Sequence, residues 1–156
     1  MTIRNSHFNV LVALNSFILF FLLFARSIQI PTFLQVFGRM HPLFLHFPIV
    51  LLVICWLLYL FRERLEKEIP RIEGLINMLF YISSITIAIT TIFGLILSKE
   101  GGFEGATYSR HKYTGVALSF LTLGLLAFTK FGTKKRNRVI FTFGINLAMV
   151  LLLFVG

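Results

Sequence analysis

Three of the four histidines in this chain stand at the borders of long apolar runs: His41 and His46 in RMHPLFLHFPIV, and His111 in YSRHKYTGVAL. A neutral imidazole offers one nitrogen to a metal, a haem iron or a proton while the other holds the ring in place. An ionisable side chain inside a lipid-facing run is costly to bury and marks a functional candidate. His46 carries the sharpest expectation. With a helix starting at Pro42, a favoured first helical position, His46 falls about one turn below the membrane interface. Pro48 cannot donate to the carbonyl of Phe44, which loosens that turn. The bland alternative is that His46 donates to a neighbouring carbonyl and ties two helices together. His41 and His46 are about 140° apart around an ideal helix, so they cannot aim at one point unless the turn is irregular. His41 and His111 also read as polar helix entries. His7, ahead of the first run, reads as a surface residue.

The elements that position these residues follow from composition. Of 156 residues, 57% are hydrophobic and 13% charged, against roughly a quarter charged in a soluble domain. The apolar residues come in blocks free of Asp, Glu, Lys and Arg, near the roughly 20 residues a helix needs to cross a bilayer core. The fold class is therefore an all-α membrane protein, a single bundle over residues 1–156 of about five transmembrane helices. The apolar segments built on these blocks run roughly from Phe8 to Ile28, with Arg26 in its last turn, Pro42 to Phe61, Gly74 to Ser98, Tyr113 to Thr129 and Val139 to Gly156. The first block ends in Leu23-Phe24-Ala25-Arg26, a poor cleavage pattern, so it reads as a spanning helix. Between the first two blocks, Phe33, Val36, Phe37 and Met40 share one helical face. They predict a short interfacial helix before the second span.

Charge sets the orientation. One set of loops holds Arg4, Arg62, Arg64, Lys67, Arg71, Lys130, Lys134, Lys135, Arg136 and Arg138; the other holds Arg26, Arg39, Lys99, Arg110 and Lys112. The richer set belongs in the cytoplasm. That puts the N-terminus inside and brings His41, His46 and His111 to similar depth near the opposite face. The net charge of +9 is this topology pattern, and no nucleic acid is implied. Cys55 is the lone cysteine, so no intrachain disulfide forms. Spans without Asp, Glu, Lys or Arg argue against a transporter.

The third span carries Ser83, Thr86, Thr90, Gly94 and Ser98 on one stripe, and the fourth offers Gly115, Ser119 and Thr122. Small and hydroxyl residues let helices approach closely in lipid, or turn a polar face to a cofactor. The loop KEGGFEGATYSRH has glycines suited to tight turns. The chain contains no CxxCH haem-attachment motif, phosphate loop or nucleophile motif.

The runs GRMHPLFLHFPIVLLV and GLILSKEGGFEGATYSRHKYTGVAL resemble an uncharacterised bacterial membrane domain, often fused to or encoded beside c-type cytochrome domains. The matching positions are Gly38, Arg39, His41, Pro42, His46, Pro48, Gly101, Gly102, His111 and Gly115, over roughly Gly38 to Leu118. The family's later His-Gly-Gly stretch and its cytochrome domain are not in this sequence. The resemblance thus implies a redox neighbourhood without supplying the redox centre.

Together these readings give a bacterial inner-membrane subunit associated with electron transfer. A b-type haem (heme b) is expected between the second and fourth spans near the periplasmic face. The expected iron ligands are His46 with His111, and His41 with His111 second. The alternatives are a non-redox structural or anchoring subunit, or a small metal site built from the three histidines. Expected partners are membrane lipid, other membrane subunits and a periplasmic redox or anchored protein. The last span reaches Gly156 with no polar residue at its outer end, so a partner or further chain is expected to cover it.

Overall fold

A computed structural model of the chain describes residues 5–131 and 134–155, with side chains described for 8–131 and 138–153. The side chains of His7 and of Lys134, Lys135 and Arg136, and all of Arg4 and Gly156, lie outside the described residues. The described residues form seven helices: α1 Asn5–Leu23, α2 Thr32–Arg39, α3 His41–Leu60, α4 Arg62–Glu68, α5 Ile72–Leu97, α6 Ala106–Phe131 and α7 Lys134–Val155. Three of them, α3, α5 and α6, are long and apolar enough to cross a bilayer. Helices α1 and α7 carry the shorter apolar stretches Phe8–Leu23 and Arg138–Leu153.

The predicted short helix is present as α2. Pro31 precedes it with extended backbone, as expected where proline sets the first φ and cannot donate. Its apolar face looks outward: Phe33 is 70% exposed and Val36 57%. Only Met40 separates α2 from α3, so whatever seats α2 also seats His41.

Two elements differ from the sequence reading. The basic link after the second block is itself a helix, α4, because Arg, Glu, Leu and Lys are strong helix formers. It stops at Ile69, extended before Pro70, as the residue ahead of a proline must be. The fourth span starts at Ala106 rather than Tyr113. His111 therefore stands in the second turn of α6 and is not its entry residue.

Helices α3, α5, α6 and α7 pack in a four-helix ring, each against the next and α7 back against α3. The diagonal helices α3 and α6 have no Cα atoms within 8 Å of each other. Helix α1 lies outside the ring against α5 and α6, and α2 crosses the end of α5. The buried faces follow helical spacing. On α3 they are Pro48, Leu52, Cys55 and Tyr59, on α5 Ile76, Phe80, Ser83, Ile87 and Thr90. Between α1 and α6, buried Asn15 accepts from Ser119 Oγ at 3.0 Å and donates to its own Leu11 carbonyl at 3.0 Å. Such a bond across helices is worth about 0.6 kcal/mol on average in lipid.

The α5 stripe divides in two. Ser83 donates to the Pro48 carbonyl of α3 at 3.5 Å, which is helix packing. Thr90, Gly94 and Ser98, further along, line a cavity.

Candidate functional site

The site starts with how α2 is held. Gly38 is buried, and a Cβ built there would stand 2.7 Å from the Leu97 backbone nitrogen. Only glycine lets the α2 backbone rest on the end of α5 at that distance. Arg39 then reaches the Glu100 carboxylate with Nε at 3.0 and 3.2 Å from its two oxygens, and Lys99 donates to the Ala25 carbonyl at the end of α1. Phe93 of α5 is flanked by Phe37 of α2 and Phe44 of α3, ring centres 5.9 and 5.4 Å away. The chain thus enters α3 pressed against α5.

That seating decides the orientation of His41. It is half-buried, and its Nδ1 lies 2.8 Å from the Thr90 carbonyl. A carbonyl only accepts, so Nδ1 carries the proton and Nε2 of the neutral ring is an acceptor. The imidazole lies over Gly94, where a Cβ would come within 2.9 Å of Cε1. Across the bundle axis stands His111 of α6. The two ring centres are 5.9 Å apart and the rings are perpendicular.

Around this pair is a half-open cavity of about 230 Å³. Much of its lining is apolar: Leu45 and Ile49 of α3, Ile87 of α5, Leu118 of α6 and Leu152 of α7. Ser98, Phe103, Tyr108 and Lys112 line it as well. The loop between α5 and α6 turns at Gly101, Gly102 and Gly105, whose φ angles of 81°, 78° and 100° fall where only glycine is at ease. The glycines predicted as turn residues are turn residues.

The leading ligand pair of the sequence reading is not assembled. His46 is exposed, does not line the cavity, and has Nδ1 3.1 Å from the Pro42 carbonyl one turn back on its own helix. The physical reason is the angle between the two histidines. Once His41 faces α5, His46 is turned well away on a regular helix. It does not tie helices together either, since its partner is local. The three histidines are not gathered at one point, for the same reason. The pair ranked second, His41 with His111, is the one brought together.

Residues missed by the sequence reading include Thr90 as the orienter of His41, Gly94 as its seat and Asn15 as a buried tie. A signal that His41, not His46, faces inward existed. Stepping back from Tyr59 and Cys55, two of the other polar or reactive residues of α3, by helical spacing lands on Leu52, Pro48, Leu45 and His41. It does not land on His46.

No family profile, curated protein or solved structure matches the chain.

Proposed function

We propose that this chain is a bacterial inner-membrane subunit of an electron-transfer assembly, with the His41–His111 pair as its working centre. In this reading α1, α3, α5, α6 and α7 all cross the bilayer, and the Lys and Arg tally places the histidine end on the periplasmic side. Lipid surrounds the bundle, and further membrane subunits and a periplasmic redox or anchored protein are its partners.

The observation that carries the proposal is the pair itself. Two imidazoles sharing one metal between their nitrogens have ring centres about 6 Å apart, given bonds of about 2.0–2.1 Å. The centres of His41 and His111 are 5.9 Å apart. The Thr90 carbonyl bonded to His41 is the kind of outer contact that fixes a ligating imidazole. A b-type haem is one group whose iron takes imidazole nitrogens from the protein. His41 and His111 would supply those ligands, and the haem would supply a one-electron centre.

The iron fits better than its ring. The cavity of about 230 Å³ is smaller than the roughly 300–1,000 Å³ pockets that hold drug-sized molecules. A macrocycle enters only if α3 and α6 part. Absorption spectra of the purified protein, oxidised and dithionite-reduced, test the haem directly. Haem bands lost in His41→Ala and His111→Ala but kept in His46→Ala support it. No bands in the isolated protein, or after haem is added back, refute it. A structural or anchoring subunit is the competing class. It predicts that His41→Ala and His111→Ala leave electron transfer through the assembly unchanged.

A further inference from the structure

We infer that the cavity takes the headgroup of a lipid-soluble quinol or quinone: one aromatic ring with ring oxygens and an apolar tail. This rests on the electron-transfer reading and replaces the macrocycle with a group the bundle admits as it stands. Size is the first argument. An apolar cavity of about 150 Å³ holds benzene, so about 230 Å³ holds a substituted ring and the start of a tail.

The second argument is two polar groups at the histidine end. His41 is held by Nδ1–H on the Thr90 carbonyl, and its Nε2 makes no hydrogen bond among the described residues. Thr90 is 3% exposed and lines the same cavity. Its hydroxyl also makes no hydrogen bond among the described residues. The other hydroxyls of the α5 stripe, those of Ser83, Thr86 and Ser98, all bond to carbonyls. A buried polar group without a partner is costly and needs an explanation. An acceptor nitrogen and a donor hydroxyl on two residues that line one cavity match a phenolic oxygen, which donates its proton to Nε2 and accepts from the threonine hydroxyl. An acyl chain has nothing to offer either group.

The walls supply the rest. Leu45, Ile49, Ile87, Leu118 and Leu152 suit a ring face and an isoprenoid or alkyl tail, and the rings of Phe103 and Tyr108 add to the lining. The inference is one of binding. The ring oxygen is held by His41 and Thr90, with a proton acceptor already in place.

The test is equilibrium binding of decylbenzoquinol, kept reduced, to the full chain in nanodiscs, with decylbenzene as the ligand without oxygens. Saturable quinol binding is expected, weakened about tenfold by Thr90→Val and at least as much by His41→Gln, and unchanged in His46→Ala. Decylbenzene is expected to bind at least tenfold more weakly. Thr90→Val keeps the shape of the side chain, so it decides the matter if the histidine variant does not fold. Equal affinity for both ligands, or none lost in Thr90→Val, overturns the inference and leaves an apolar lipid site. Haem bands that depend on His41 and His111 overturn it too, while upholding electron transfer at the pair. If the quinol binds as expected but the assembly passes no electrons, the binding site stands and the electron-transfer reading falls.

Discussion

The two ends of the bundle solve the same packing problem in opposite ways. At the basic end the axis is filled with rings: Phe80 of α5 meets Phe141 of α7 at 5.0 Å, and Tyr59 of α3 meets Phe141 at 4.9 Å. The polar atoms there are answered within the protein. The Tyr59 hydroxyl lies 2.6 Å from Thr142 Oγ1, and the Arg62 guanidinium sits 4.2 Å over the Tyr59 ring. At the histidine end the axis holds two imidazoles, a buried threonine and a cavity. Empty volume is expensive in a packed interior, and so are unanswered hydroxyls. A bundle that only had to span a membrane would use the first solution twice. The contrast teaches that one end is closed by its own side chains, while the other keeps a cavity beside two histidines.

The largest effect expected is at the basic end. Phe80 is fully buried, and Phe80→Ala should cost about 3–5 kcal/mol in denaturant unfolding of the solubilised protein. Quinol affinity in the fraction still folded should be near that of the parent. A selective loss of binding with stability intact would erase the division between the two ends.

Next comes Gly94→Ala. The new Cβ meets the His41 ring, and forcing atoms into an occupied space costs about 1–3 kcal/mol. The ring must leave the Thr90 carbonyl, so ligand binding should fall by at least tenfold whatever the ligand is. Retained binding would show that His41 acts through some other orientation.

The smallest stability effect has the opposite sign. Gly115 lines the cavity on the same face of α6 as His111 and Leu118, and a Cβ there meets nothing within 4 Å. Gly115→Leu should raise stability by about 1 kcal/mol, from helix propensity alone, while abolishing binding. A destabilised Gly115→Leu protein would mean that the cavity is not open space.

Much of this was legible in the residues. The apolar blocks had to become helices, because in lipid each backbone polar group must be satisfied within its own segment. The pattern of Phe33, Val36, Phe37 and Met40 required a helix where α2 stands. Alternating short links required His41, His46 and His111 at one end of the bundle. The pair of residues that faces inward was not legible. Helix α3 is apolar on all sides, so its composition leaves its rotation about its own axis almost free; Cys55 and Tyr59 were the weak clues. Depth favoured His46, yet depth does not say which way a side chain points.

That rotation was settled by contacts distant in sequence. Gly38 admits the Leu97 backbone, which seats α2 on α5 and sets the direction in which α3 begins. Gly94 then leaves room for one imidazole, and the Thr90 carbonyl holds it. The same arrangement turns His46 outward. Chain chemistry alone specified the helices, their order and the end at which the histidines gather, because those depend on local hydrophobicity and charge. The choice of His41 over His46, the approach of His111 and the cavity between them depend on helix–helix distances of a few ångströms. Only the packed bundle sets those distances.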